Sequence, residues 1–141
     1  MTQTAKVLVA SSDLENGRSL SKLLVECGLD SAVVSSLEEA RALLAKETIS
    51  LVICDAQLTG GSFRELLPSS ETAKIPVVVA SRLPDTRQYL EAMRLGAFDF
   101  IASPYRRAEM QHIVSSAMRQ AVAAGRAALT SYQQRGIPAA T

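Results

Sequence analysis

Asp55 ends an unbroken apolar run, Leu51-Val52-Ile53-Cys54, and is followed by the turn-like segment Ala56-Gln57-Leu58-Thr59-Gly60-Gly61. A lone carboxylate carried at a strand end can act as a nucleophile or a metal ligand. It can equally cap the segment that follows, because Asp is common where strands give way to turns. The other groups of comparable chemistry are Ser11, Ser12 and Asp13, then Ser81, then Ser103. A serine nucleophile needs a histidine base, and the single histidine, His112, lies in a late helical stretch misplaced for that role. His112 reads as a partly exposed helical residue. Cys27 and Cys54 lie far apart without metal-ligand company, and Cys54 reads as a small buried hydrophobe. There is no G-x-G-x-x-G or Walker loop, and the loop after Ala10 lacks the close-set glycine and hydroxyls of a flavin-phosphate loop.

These residues need elements to position them. Leu51–Cys54 has the continuous, β-branched character of a strand buried on both faces, which belongs to a parallel sheet covered by helices. Lys6–Ala10, Ser31–Ser35, Pro76–Ala80 and Phe98–Ala102 supply four more strand candidates. Between them the apolar spacing turns helical. Leu20, Leu23, Leu24 and Cys27 share one face of a first helix, with Ser12 and Glu15 at capping-box spacing and Gly28 at its end. Ser36-x-x-Glu39 opens a second helix with Ala40, Leu43 and Leu44 inward. Phe63–Leu67 is a short third, and Pro84 suits the first turn of a fourth over Asp85–Leu95, with Leu90, Met93 and Arg94 around its inner face. From Arg107 a fifth runs on through Met110, Ile113, Val114, Ala117 and Met118.

Strands alternating with helices through short loops predict an α/β fold in three layers, a doubly wound parallel five-stranded sheet. Right-handed crossovers favour the flavodoxin-like order 2-1-3-4-5. That order brings Ser11, Ser12, Asp13, Asp55, Ser81 and Ser103 to the carboxyl rim, where open sheets of this kind place their ligands.

The 141 residues suit one domain, and 48% hydrophobic with 21% charged is an ordinary globular balance. Lys+Arg 15 against Asp+Glu 14 leaves a net charge of +1, which gives no support for nucleic-acid binding by bulk charge. No apolar run approaches the roughly 18 residues that cross a bilayer, and Met1–Lys6 has no signal-peptide core. The expectation is a soluble, cytoplasmic protein without a membrane or nucleic-acid partner.

The strings LVICDAQLTGG, IPVVVAS and LGAFDFIASPY, at this spacing, resemble the receiver domain of bacterial two-component response regulators. The resemblance covers roughly residues 5–119 and leaves 120–141 as an extension of the last helix and a tail. It implies a signalling domain rather than an enzyme. Asp55 is then the phosphoryl acceptor, and a histidine kinase or phosphotransfer protein is its donor. Ser81 and Phe100 match the hydroxyl and aromatic switch positions, although Ser81 is also an ordinary strand-end hydroxyl. Ser103-Pro104 matches a peptide that is usually cis.

Three departures accompany the likeness. Ser11 and Ser12 stand where the family has the acidic pair that holds Mg²⁺. Ser103 stands where it has a lysine. The turn after Asp55 lacks the usual proline and is shortened. Asp13 and Asp55 remain as the carboxylates that could face a metal, yet Asp13 equally suits a helix N-cap. The resemblance with these losses implies a weakened Mg²⁺ site. It leaves two readings, a slow phosphoacceptor or a pseudo-receiver that binds partners without phosphorylation. With no DNA-binding segment after residue 119 in this sequence, the expectation is that output goes through another protein. Ala117, Ala121, Ala124, Ala128 and Tyr132 continue a small-residue stripe past Arg119. It suits packing against the same helix of a second subunit, or else it is a frayed linker.

Overall fold

The computed structural model describes residues 6–67, 74–83 and 85–134, with side chains described through residue 120. Five parallel strands form the main sheet: β1 (Lys6–Ala10), β2 (Asp30–Val34), β3 (Leu51–Asp55), β6 (Val77–Ser81) and β7 (Asp99–Ala102), in the order β2-β1-β3-β6-β7. A separate two-stranded antiparallel ladder, β4 (Gln57–Leu58) with β5 (Gly61–Ser62), interrupts the numbering. Five helices complete the chain: α1 (Leu14–Glu26), α2 (Leu37–Lys46), α3 (Phe63–Leu66), α4 (Thr86–Arg94) and α5 (Arg107–Gln134). The fold is the expected flavodoxin-like, doubly wound three-layer sheet.

Alternation along the strands sorts the core into two layers. Leu8, Ala10, Val52, Cys54, Val77 and Val79 face Leu37 and Ala40 of α2, Phe63 and Leu66 of α3, and Ala92 of α4. Their chain neighbours Val7, Val9, Leu51, Ile53, Val78 and Ala80 face Leu20 and Leu24 of α1, with Met110, Ile113, Val114 and Ala117 of α5. Every residue of β3 is buried, as a strand covered on both faces requires. Truncating a residue such as Ile53 to Ala would cost about 2–5 kcal/mol, because the sheet and two helices cannot collapse into the gap. Register then fixes the rim: Asp55 pairs with Ala80 and Ser81 with Ala102.

Several local expectations need correction. Asp13, rather than Ser12, caps α1: its carboxylate accepts from the Asn16 N–H, while the Ser12 hydroxyl donates to the Gln57 carbonyl at 3.2 Å. A one-residue shift puts a carboxylate at the cap, where its charge also suits the positive end of the helix. Leu90 and Met93 do not line the inner face of α4; Leu90 is 52% exposed, whereas Ala92 is fully buried. The small side chain lets the helix lie close to the sheet, and the bulky ones point out. The segment after Asp55, read as a plain turn, is the β4–β5 hairpin. Its corner is Gly60 at φ +85°, a conformation that a side chain strains. A bridge between Ser36 and Thr59, with the Leu37 N–H donating to the Thr59 carbonyl at 3.0 Å, ties this loop to the start of α2. Pro84 lies outside the described residues, as do the side chains beyond residue 120.

Candidate functional site

Asp55 stands at the end of the central strand and is 2% exposed. Its Oδ2 accepts from the Ser11 hydroxyl at 2.9 Å and from the Asn16 side-chain amide at 3.0 Å. Asn16 sits on the first turn of α1, and its amide also reaches the Ser11 hydroxyl at 3.3 Å. The other oxygen, Oδ1, has only a long 3.4 Å contact from the Gln57 backbone N–H. Oδ2 is therefore held, while Oδ1 keeps a lone pair free for attack on an electrophile.

A cation completes the arrangement. Arg82, the residue after β6, donates through Nη1 to Asp13 Oδ2 at 2.9 Å. Its Nε lies 3.9 Å from Asp55 Oδ2, close enough for charge pairing but too far for a hydrogen bond. The guanidinium thus bridges a buried carboxylate and a rim carboxylate. Both oxygens of Asp13 are engaged, since Oδ1 accepts from the Asn16 backbone N–H at 2.8 Å.

Ser81 is buried at the end of β6, and its carbonyl accepts from the Ser103 N–H at 2.9 Å. Phe100 is half-buried on β7 and makes an edge-to-face contact with Tyr89 of α4, with ring centroids 5.7 Å apart. Ser103 is exposed and joined to Pro104 by a cis peptide. The Tyr105 hydroxyl is buried without a hydrogen-bond partner. Burial pushes its pKa up and the Asp55 charge adds to that, while the Arg82 charge opposes it. Cys54, one residue before Asp55, is pushed up chiefly by burial and further by the Asp55 charge.

So the structure gathers Ser11, Asp13, Asp55 and Ser81 at one rim, with Ser12 and Ser103 exposed beside it. Phe100 lies on β7 against α4. Sequence reasoning missed Asn16, Arg82 and Tyr105. Asn16 was legible as a residue one helical turn from Asp13, facing back toward the sheet. Arg82 was legible as the residue next to the expected hydroxyl.

The sequence and the fold match known proteins. The family model for the response regulator receiver domain matches residues 7–115. The chain belongs to that family. As a receiver domain it is a part of two-component signal transduction, and it is similar to larger regulators. The response regulator protein FleR of Pseudomonas aeruginosa is 34% identical over 103 residues, covering 72% of this chain and 22% of FleR. PilR of the same organism is 27% identical over 116 residues, covering 81% of this chain and 26% of PilR. This chain therefore spans only a minor part of these relatives' length. Among solved structures, NtrX from Brucella abortus superposes with a TM-score of 0.82 at 21% identity, over 89% of this chain and 30% of NtrX. The receiver domain of a putative LuxO repressor protein from Vibrio parahaemolyticus gives 0.79 at 16% identity, over 89% and 98%. At such identities these structures bear on fold alone.

Receiver domains generally bind Mg²⁺ at an acidic site, which raises the question of fit. Magnesium wants near-octahedral oxygen ligands and is usually held by one or two carboxylates with water and phosphate. Among the described residues no group of three or more acidic, histidine or cysteine side chains could hold a metal. Of the two carboxylates at the rim, Asp13 is committed through both oxygens and Asp55 through Oδ2, and a guanidinium lies between them. This donor set does not fit a divalent ion. Among the described residues no helix is long and apolar enough to cross a membrane.

Proposed function

We propose that Asp55 is the phosphoryl acceptor of this receiver, a slow one, and that the domain signals by contact with other proteins. The single observation that supports this is the asymmetry of the carboxylate: Oδ2 is fixed by Ser11 and Asn16 while Oδ1 is nearly free. In the transfer Oδ1 attacks phosphorus as the bond from phosphorus to the donor nitrogen breaks. The product is an acyl phosphate, and the leaving nitrogen regains a proton. A histidine kinase or phosphotransfer protein is the fitting donor. Slowness follows from burial of Asp55 and from Ser11, Ser12 and Ser103, which supply neither metal-binding carboxylates nor a lysine to meet the phosphoryl charge, since such transfer depends on positioning and charge stabilisation.

The readout lies on α4. Tyr89, Leu90 and Met93 are exposed there, and Tyr89 touches Phe100. A shift of Ser81 toward phosphoryl oxygens would let Phe100 move and would alter this apolar face, the natural surface for an output protein. The 2% exposure of Asp55 favours a second reading, a pseudo-receiver that binds partners without phosphorylation. Incubation with phosphoramidate, or with a kinase, followed by intact mass measurement separates the two. A slow gain of one phosphoryl group that is lost in Asp55→Ala supports the acceptor. No gain with any donor assigns the domain to the second reading.

A further inference from the structure

We infer that Arg82 is the resident cation of the Asp55 site and keeps divalent metal out of it. The inference deepens the reading of Asp55 as acceptor, and it rests on that reading only for its consequence in phosphorylation. Three observations converge. Arg82 follows the buried strand-end residue Ser81, so the chain delivers its guanidinium to the rim and not to the core. One nitrogen bonds Asp13 at 2.9 Å while another faces Asp55 at 3.9 Å, so a single positive group serves both carboxylates. The rest of the shell donates hydrogen bonds: Ser11 and the Asn16 amide both direct protons at Asp55 Oδ2. These donors already occupy Oδ2, and a metal approaching either carboxylate also meets the guanidinium charge.

The same geometry gives Arg82 a task when the acceptor is loaded. Its side chain is 45% exposed and its contact with Asp55 is long, so the guanidinium can leave Asp13 and swing toward phosphoryl oxygens. Planar guanidinium groups match phosphate oxygens in a two-point fork, and a point charge such as lysine does not. Arg82 would then stabilise the phosphoryl charge in place of both metal and lysine.

The test titrates the full chain with Mg²⁺ alone and follows the backbone amide signals of Ser11–Asn16 and Asp55–Gln57 by nuclear magnetic resonance. The comparison is wild type against Arg82→Gln, which keeps length and loses charge, with Arg82→Lys as a check on charge alone. Arg82→Gln is expected to bind Mg²⁺ at least about tenfold more tightly than wild type, because removing a cation relieves repulsion of the ion. Equal affinities, or tight saturable binding by wild type, overturn the inference. In a second arm, phosphorylation by phosphoramidate is compared with Mg²⁺ and with a chelator. Equal rates in wild type, and a fall in Arg82→Gln under chelation that Arg82→Lys only partly restores, support the role toward the phosphoryl group. A rate that the chelator abolishes in wild type overturns it. If no variant is phosphorylated under either condition, the acceptor reading fails, while the magnesium titration still decides whether Arg82 excludes the metal.

Discussion

The side-chain amide of Asn16 donates to Oδ2 of Asp55 at 3.0 Å, joining the first turn of α1 to the end of the central strand. Both residues are buried, so the bond does more than orient a carboxylate. It satisfies a charge that burial would otherwise make costly, alongside the Ser11 hydroxyl. Asn16→Ala is expected to lower stability by about 1.5–3 kcal/mol, the usual range for a hydrogen bond to a charged group. Urea unfolding at neutral pH measures it. In an Asp55→Asn background the same substitution is expected to cost less, since the acceptor is then neutral. Equal losses in the two backgrounds would show that Asn16 matters for packing alone.

Asp13 carries two duties that substitution can separate. One oxygen caps α1 and the other pairs with Arg82. Asp13→Asn keeps an excellent N-cap and loses only a partly exposed ion pair, so its expected cost is below about 1 kcal/mol. Asp13→Ala loses the cap as well, at about 0.5–2 kcal/mol for that part. Salt distinguishes the contributions. Raising ionic strength narrows the gap between wild type and Asp13→Asn, and leaves the gap between Asn and Ala intact. Thermal melts at two salt concentrations supply both comparisons.

Cys54 predicts an alkaline weakness. Burial holds its thiol protonated in the folded state, whereas the unfolded thiol ionises near its ordinary value of 9.0. The folded chain then binds more protons than the unfolded chain, so stability falls as pH rises above that value. Below it the contribution is fully present. Each further pH unit removes up to about 1.4 kcal/mol for such a group. Tyr105 acts in the same direction but only from about its ordinary value of 10.0, so the window between the two isolates the thiols. Cys27, pushed up by its own partial burial and then by Glu26, contributes less. Stability measured from pH 8 to pH 10 is therefore expected to fall less steeply in Cys54→Ala than in wild type, and nearly as steeply in Cys27→Ser. A thiol reagent at neutral pH should label Cys27 and spare Cys54 until the chain unfolds.

The sheet was legible because its signals are periodic. A run such as Leu51–Cys54, apolar at every position, has few homes other than a strand covered on both sides. Helix faces were less secure. On α4 the bulk of Leu90 and Met93 suggested the inner face, while the contact is made by Ala92, because close packing against a sheet selects small side chains and pattern alone rewards large ones. At the site, Asp55 and Ser81 could be located by register, since strand ends fix where their residues emerge. Arg82 could not be given a partner from sequence, for a long side chain reaches whatever charge lies nearby, and Asp13 is nearly seventy residues away in the chain. Asn16 could be placed on the first turn of α1, but its bond to Asp55 shows only once the start of that helix is seated beside the end of β3.

The last prediction concerns α5, whose backbone runs from Arg107 to Gln134. Met110, Ile113, Val114 and Ala117 bury its first half against the sheet. At about 1.5 Å per residue the part beyond Arg119 adds roughly 20 Å of helix. Beyond Gln120 the side chains lie outside the described residues, but the sequence there carries Ala121, Ala124, Ala128 and Tyr132 at helical spacing. A helical segment of about 12–15 residues is marginal in water unless one face is covered, and Gly125 lowers its intrinsic stability by about a further 1 kcal/mol. A stripe of alanines allows two helices to approach closely, so the same segment of a second copy is the simplest cover. The full chain is therefore expected to dimerise at micromolar concentration, and a chain ending at Arg119 to be monomeric with its Asp55 site intact. Light scattering reports the mass, and circular dichroism the helix lost with the segment. A full-length monomer would end the idea of self-association. A dimer that survives the truncation would move the interface to another surface, with the exposed face of α4 the next to test.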